Sequence, residues 1–402
     1  MTRWQKNLYS IFIAELLAIA GFGVSNPIIP FFIQDLGITD ENEVKLWVGL
    51  CNAVPAMSLA VFAPIWGKIA DSYGRRIMLL RAMYGGAVIM ALTGLVSHPW
   101  QFLVIRILQG TVTGSVSAAT VLVASLSPKE KMGYSLGLVQ TAIYVGAAAG
   151  PMIGGTVSDM LGHRPTFFIT SFLLVIAGLI VQRFVREDFS RLPFTRSFWR
   201  NIVPDFGLVS HSGTLIALLF VIGSVQIAGS VIAPILPLYV QSMTPDSNLV
   251  GSITGLIFGV GALTAAVSAA AIGRISYRFG YWRTLIICVF GAMLLIVPQA
   301  FVGNPWQLLS LRFIGGVFIG GTMPSVNALI AVQTDKAHQG EVYGMSSSVS
   351  AMGMAIGPIM GALVSMLWGY SAAFLATAVV LLLTAVMLLA TRSGGRSGAV
   401  SS

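Results

Sequence analysis

The sequence predicts an all-α membrane protein with twelve transmembrane helices in two pseudo-symmetric halves of six. Three observations lead to this fold class. Of 402 residues, 56% are hydrophobic and only 9% are charged, whereas soluble proteins carry roughly 25% charged residues. Twelve apolar stretches are each long enough to cross a bilayer, which takes about 20 helical residues. The second half of the chain repeats patterns of the first. A soluble globular enzyme does not fit this composition.

The apolar stretches give the order of the elements. Each is continuously apolar, which favours helices over a β-barrel. The first follows a short basic lead and is too long for the core of a cleavable signal peptide. The longest polar stretch, 186–212, is predicted to be a cytoplasmic linker between an N-terminal half, 1–185, and a C-terminal half with a short cytoplasmic tail, 213–402. The predicted spans are 8–34, 45–66, 77–97, 100–124, 132–160, 165–185, 213–240, 248–272, 283–302, 305–332, 339–368 and 370–391.

Sequence motifs recur in the same order, shifted by 206 or 207 positions. "PIIPFFI" from Pro27 returns as "PILPLYV" from Pro234, and "HPWQFLVIRILQG" from His98 returns as "NPWQLLSLRFIGG" from Asn304. Two further pairs keep the same shift. The shared shift indicates an internal duplication, and duplicated six-helix halves are an architecture of transporters that bind substrate near the midplane between the halves.

The net charge of +9 indicates membrane topology rather than nucleic-acid binding. With the N-terminus in the cytoplasm and twelve alternating spans, most of the 23 Lys and Arg residues fall on the cytoplasmic side. This is the positive-inside distribution of membrane proteins. We therefore expect both termini in the cytoplasm, the lipid bilayer as a partner, and no nucleic-acid partner.

Three motifs carry a resemblance to a known family. "GKIADSYGRR", after the second span, resembles the signature of the major facilitator superfamily. "RILQG" in the fourth span resembles a second motif, and "GAAAGPMIGG" in the fifth resembles a motif of the twelve-helix bacterial drug/proton antiporters. The resemblance covers nearly the whole chain. It implies the major facilitator fold, transport by alternating access, a bacterial inner-membrane location, a monomer and no cofactor.

The first of these motifs, which we call the gating loop, comprises residues 67–76. Gly67 and Gly74 permit tight backbone turns. Asp71 would sit near the start of a neighbouring helix, where the helix dipole favours an anion. Arg75 and Arg76 would hold acidic or carbonyl partners across the interface between the halves. The resemblance implies that the loop closes the cytoplasmic side when the cavity opens outward. The alternative is a basic loop that only sets topology.

The fifth span carries small residues at a spacing of four. Gly146, Gly150 and Gly154 lie along one helix face, which permits close packing against another helix in lipid. Pro151 removes a backbone donor and is expected to bend the helix. The resemblance implies that this face shapes the helix interface and prevents leak. Plain helix packing is the alternative.

Glu15 is the one acid, of fourteen, that lies well inside a predicted span. An ionised carboxylate there is costly, and desolvation favours the neutral acid, so Glu15 is a candidate proton-binding group. Arg106 lies roughly 15 Å away along the membrane normal, so no direct ion pair is expected. The resemblance implies that Arg106 hydrogen-bonds the first helix and influences proton exchange. The alternative for Glu15 is a structural hydrogen bond or contact with the cytoplasmic interface.

The resemblance also implies that spans 1, 4, 7 and 10 line the substrate cavity. Their polar residues are candidates for substrate contact, and each would otherwise form a hydrogen bond between helices. The sequence has no phosphate-binding loop, no Cys/His cluster for zinc and no hydrolase elbow, so ATP use, a metal site and catalytic residues are not expected. The cavity candidates are Asn26, Gln109, Gln226, Arg312 and Asn327.

These features together predict a transporter and not an enzyme. We expect a proton-coupled secondary transporter that exports small amphipathic or cationic compounds, as in multidrug efflux. A dedicated exporter of one metabolite, such as a siderophore or a sugar, is the first alternative. A non-transporting membrane receptor or a membrane enzyme is the second. A receptor would not need both an intramembrane acid and the gating loop, which returns as "GRISYRFGYW" from Gly273.

Overall fold

The computed structural model describes residues 2–128, 131–188, 212–244, 248–334 and 339–397. Within these ranges, twelve helices are long and apolar enough to cross a membrane, which confirms the predicted fold class. In chain order they are α1 (Arg3–Asp35), α2 (Glu41–Tyr73), α3 (Arg75–Gly94), α4 (Pro99–Leu126), α5 (Met132–Leu161), α6 (His163–Phe184), α7 (Gly213–Met243), α8 (Val250–Phe279), α9 (Tyr281–Gln299), α10 (Pro305–Gln333), α11 (Gln339–Trp368) and α12 (Tyr370–Ser397).

Three of the helices are interrupted, two beside a proline, which has no backbone N–H, and one at a glycine. A 3-10 turn at Asn26–Ile28 interrupts α1 beside Pro27. The repeat counterpart in α7 is a turn at 233–235 that contains Pro234. The break in α4 has a different cause, because Gly114 adopts a left-handed conformation with φ +114°. The repeat counterpart of α4, α10, is continuous.

The helices end on two faces. We call the terminal face the one formed by the starts of α1 and α3 and the ends of α2 and α12. The opposite face carries the connections that follow α1, α3, α5, α7, α9 and α11.

The gating loop is more helical than predicted. Helix α2 continues to Tyr73, so Gly67 lies inside the helix and forms no turn. The turn is made by Gly74 alone, with φ +103°, and the repeat position Gly280 takes φ +86°. The helix continues because its i→i−4 hydrogen bonds persist up to the bond from Gly74 N–H to the Ala70 carbonyl.

Each half of the chain has its own hydrophobic core, and Leu238 of α7 also packs into the first of them. In the first, the rings of Phe102 and Phe167 pack on Phe32, with centroids 5.4 and 4.7 Å from that ring. The second core is formed by residues from 215 to 388, and in it Tyr239 packs on Phe374 at 5.1 Å. Most of the predicted linker, from 189 to 211, lies outside the described residues.

The two halves meet through α5 with α8 and through α2 with α11. A Cβ at Gly155 would lie 2.6 Å from the carbonyl carbon of Gly251, and one at Gly49 would lie 3.0 Å from the Pro358 carbonyl oxygen. Backbone is thus in direct contact with backbone. These positions lie nearer the opposite face, so the structure is closed there.

Candidate functional site

Glu15 lies in the core of the first half. Its side chain is 0% exposed. The hydroxyl of Ser115, on α4, donates a hydrogen bond of 3.0 Å to Oε1. The second oxygen, Oε2, has no hydrogen-bond partner among the described residues. A carboxyl with one partnered and one unpartnered buried oxygen is suited to hold a proton, because burial favours the neutral acid.

The break in α4 positions Ser115. The left-handed Gly114 ends the first part of α4, and Ser115 is the first residue of the second part. Trp66 Nε1 donates to the Thr111 carbonyl at 2.6 Å, and Arg81 Nη2 donates to the Thr113 carbonyl at 3.2 Å. These bonds satisfy carbonyls that the break leaves without helical partners.

Trp66 and Arg81 were not predicted as site residues. The Arg81 guanidinium lies 3.8 Å from the centroid of the Trp66 ring. Both residues line a cavity of about 290 Å³ between α2, α3 and α4. In the sequence, Arg81 is only one of the many basic residues that are predicted on the cytoplasmic side of the membrane. A Trp and an Arg that face each other on different helices leave no local pattern.

Arg106 hydrogen-bonds α2 and its own helix rather than α1, which corrects the expectation from the resemblance. Its Nε donates to the Cys51 carbonyl at 2.7 Å, its Nη1 to Gln109 Oε1 at 2.7 Å, and its Nη2 to Asn52 Oδ1 at 3.4 Å. The reason is the packing of α4, since Gly110, four residues on, lets the backbone of α2 approach closely. Arg106 and Glu15 do not form an ion pair, as expected.

The backbone of Arg75 and both the backbone and the side chain of Arg76 bond to groups of their own half. The backbone N–H groups of Arg75 and Arg76 donate to the carboxylate of Glu187 at 3.2 and 2.8 Å. Arg76 Nη2 donates to the Gln182 carbonyl at 2.5 Å, so the expected contact across the interface is not made by this side chain. The closed opposite face explains this, because the halves are packed together at the other end. The side chain of Asp71 lies outside the described residues.

A second polar contact on the terminal face joins the start of α1 to the segment after α6. Arg3 Nη2 lies 2.7 Å from Asp188 Oδ1, and this hydrogen bond lowers the pKa of the Asp188 carboxyl. A lowered pKa means that the pair stabilises the fold above the ordinary pKa of the carboxyl and that this contribution is lost on acidification. Both side chains are exposed, so solvent screens the effect.

The small residues of α5 pack against α1, which confirms the predicted close packing. A Cβ at Gly146 would lie 2.9 Å from Ile19 Cβ, and one at Gly150 would lie 2.7 Å from Gly23 Cα. Gly154 packs in the same way on Val24. Helix α5 runs continuously through Pro151.

The five predicted cavity residues have different surroundings. Gln109 accepts a hydrogen bond from Arg106, and Gln226 packs beside Gly353 of α11. Asn26 and Asn327 are exposed. Arg312 lines a second cavity, which lies inside the C-terminal half. None of the five residues lines the cavity beside Trp66 and Arg81.

The opposite face carries polar contacts between the halves that sequence reasoning missed. Asp159, near the end of α5, accepts hydrogen bonds from the backbone N–H groups of Gly251 at 3.0 Å and Ser252 at 2.6 Å, at the start of α8. The helix dipole favours an anion there. On the same face, Glu41 accepts a bond from the Tyr370 hydroxyl at 2.8 Å and pairs with Lys45 at 2.8 Å. The contacts are non-local, so no sequence pattern indicates them.

Two repeated six-helix halves, closed against each other at one face and holding buried polar groups, define the class of secondary transporters. The family model of the Major Facilitator Superfamily matches residues 11–305 and 251–401. The Multidrug resistance protein MdtG of Salmonella typhimurium is 34% identical over 383 residues, covering 95% of this chain and 94% of the relative. The chain therefore belongs to the Major Facilitator Superfamily.

Solved structures show the same fold. A bacterial homolog of the human lysosomal transporter Spinster, in an inward-facing, unoccupied conformation, aligns with a TM-score of 0.80 and 13% identity over 98% of each chain. The human organic anion transporter MFSD10 aligns with a TM-score of 0.72 and 20% identity over 96% of this chain and all of the other. At these identities the likeness concerns the fold alone.

Proposed function

We propose that the protein exports small amphipathic or cationic compounds in exchange for protons, as a multidrug efflux transporter of the bacterial inner membrane. The observation that carries the proton coupling is Glu15, a fully buried carboxyl with one oxygen that has no partner among the described residues. The name and the 34% identity of the MdtG relative support multidrug export. The predicted excess of basic residues on one side supports a terminal face in the cytoplasm.

Alternating access would follow from the movement of two bodies, residues 1–185 and 213–402, joined by 186–212. Their separate hydrophobic cores support this division. The contacts of Asp159 and of Gly155 with α8 would hold the opposite face closed in the inward-open state. In the outward-open state, the gating loop with Asp71, Gly74, Arg75 and Arg76 would close the terminal face instead.

Growth of an efflux-deficient bacterial host on a panel of unrelated toxic compounds tests the proposed function. We expect the wild-type protein to raise resistance to several of them and Glu15→Gln to abolish that gain at matched membrane expression. Resistance confined to one compound would favour a dedicated exporter. No gain for any compound, with normal expression, would contradict multidrug export.

The two acids at opposite faces are expected to bias the conformation in opposite directions. Asp159→Asn weakens a charged hydrogen bond across the opposite face, which is worth about 1.5 kcal/mol, or roughly a tenfold change in the ratio of states. A reporter cysteine at Gln34, whose amide contacts Gln241 of the other half, should then react faster with a maleimide. Asp71→Asn should slow the same reaction, because it weakens closure of the terminal face.

The native cysteines, Cys51 and Cys288, are both buried, which keeps the background low. Asp188→Asn serves as a matched control, because this acid bonds Arg3 of its own half and should leave the labelling rate unchanged. Equal labelling of Asp159→Asn and the wild type would show that the contact with α8 does not hold the opposite face closed.

A further inference from the structure

The duplicated fourth helix carries one arginine in each half, and the two have different surroundings. Arg312 of α10 occupies the repeat position of Arg106 in α4. Arg106 has three acceptors, on Cys51, Asn52 and Gln109. The guanidinium of Arg106 is thus satisfied by the protein itself.

The second half keeps the arginine and lacks the two side-chain acceptors. The repeat positions of Asn52 and Gln109 are Phe258 and Gly315, and neither has a side chain that accepts a hydrogen bond. Nε and Nη2 of Arg312 are buried, and they have no hydrogen-bond partner within the described part of the chain. A buried charge without a partner is costly, so an acceptor from outside the chain would be strongly favoured.

The absent side chains leave room for such an acceptor. Arg312, Phe258 and Gly315 line a cavity of about 320 Å³ inside the second half. A Cβ at Gly315, three residues after Arg312 on the same helix, would meet Gln299 Nε2 and Leu295 Cβ only at 3.9 and 4.0 Å, so space is open at this position. The cavity wall is mainly apolar, and its described lining contains no Asp or Glu.

A second unpartnered atom faces the same region. Gln299 lines the cavity, and its Oε1 is buried without a partner in the described ranges, although its Nε2 donates to the Leu295 carbonyl. The residues that line the cavity therefore carry two charged donors, on Arg312, and one neutral acceptor, on Gln299, that are buried and unpartnered in the described ranges.

We infer that this cavity binds an organic anion, with a carboxylate on the Arg312 guanidinium and an apolar body against the wall formed by α7, α8 and α9. A planar guanidinium fork matches a carboxylate, and the low dielectric of an apolar cavity strengthens the charged hydrogen bonds. A hydroxyl on the body of the ligand would donate to Gln299. This ligand class differs from the cationic compounds of the proposed function, and the site does not depend on proton-coupled export.

Equilibrium binding to the purified full-length protein in a neutral maltoside detergent tests the inference. The probe is 2-naphthoate, and 2-naphthamide, of the same shape without the charge, is its control. Calorimetry should show the acid binding to the wild type at least about tenfold more tightly than the amide, as expected for charged hydrogen bonds. Arg312→Met should remove this preference.

Gly315→Gln provides a second, independent variant, because it restores the side chain that satisfies Arg106 in the first half. It should fill the space beside Arg312, raise the thermal midpoint of the ligand-free protein and abolish binding of 2-naphthoate. Gly315→Ala is the matched control and should keep the affinity within about threefold, since a Cβ there meets no close neighbour.

Equal affinity of the wild type for acid and amide would overturn the inference. So would wild-type binding of the acid by Gly315→Gln. Multidrug export would stand in either case, because the growth panel tests it separately.

Discussion

Glu15→Gln is expected to reduce proton-driven uphill export to the level of protein-free liposomes. Glutamine keeps the size of the side chain and an oxygen that can accept the bond from Ser115, but it cannot bind or release a proton. The measurement is transport into or out of proteoliposomes under an imposed pH gradient, with wild type and variant reconstituted at equal density. Downhill exchange of substrate should persist, because the substrate path does not require ionisation of Glu15.

Ser115→Ala is the matched control for this experiment. It removes the described hydrogen-bond partner of Glu15 and leaves the carboxyl able to titrate. We expect it to retain uphill transport with an altered dependence on pH. Uphill transport by Glu15→Gln with the wild-type pH profile would show that Glu15 is structural and that another acid carries the proton.

Gly150→Leu is expected to abolish transport and to lower thermal stability. A Cβ at Gly150 would lie 2.7 Å from Gly23 Cα and would also press on the carbonyl of Ala20. These are backbone atoms, which cannot move aside by changing a side-chain rotamer. Overpacking of this kind costs about 1–3 kcal/mol or more. Thermal unfolding of the purified variant and transport at matched expression measure the two effects.

Gly137→Leu is the control on the same helix. A Cβ at Gly137 meets nothing within 4 Å, so the leucine should be tolerated with a nearly unchanged thermal midpoint. Wild-type stability and activity of Gly150→Leu would show that the close contact of α1 with α5 is dispensable for both.

Local patterns predicted the fold because membrane spans depend on local properties. Continuous apolar stretches gave the twelve helices, and the four-residue spacing of Gly146, Gly150 and Gly154 gave the packed face of α5. The end of α2 was predicted too early, because charged residues near Lys68 were taken as loop. A helix that leaves the bilayer continues for as long as its backbone bonds persist, and this one stops only at Gly74.

The partners of the buried polar residues were harder to predict, because they depend on which helix faces touch. Arg106 was expected to bond α1, but its face of α4 packs on α2. No local pattern singles out Asp159, because its partners at the start of α8 lie about 90 residues away in the sequence. Asn52 and Gln109 accept hydrogen bonds from Arg106, and the repeat positions in the second half hold Phe258 and Gly315. A comparison of the two halves therefore predicts the different surroundings of Arg312, but only after the structure has identified the acceptors.

The contact of Asp159 with α8 has an evolutionary consequence. One side of it is a carboxylate, and the other consists of backbone N–H groups of Gly251 and Ser252. Every amino acid except proline supplies such a group. Point mutations at Ser252 other than to proline therefore leave the donor in place, whereas a side chain at Gly251 would press on the Asp159 carboxylate, so selection on this contact acts through codons 159 and 251. Revertants of an Asp159 mutant should rarely map to Ser252, and most should restore an acid at position 159 itself.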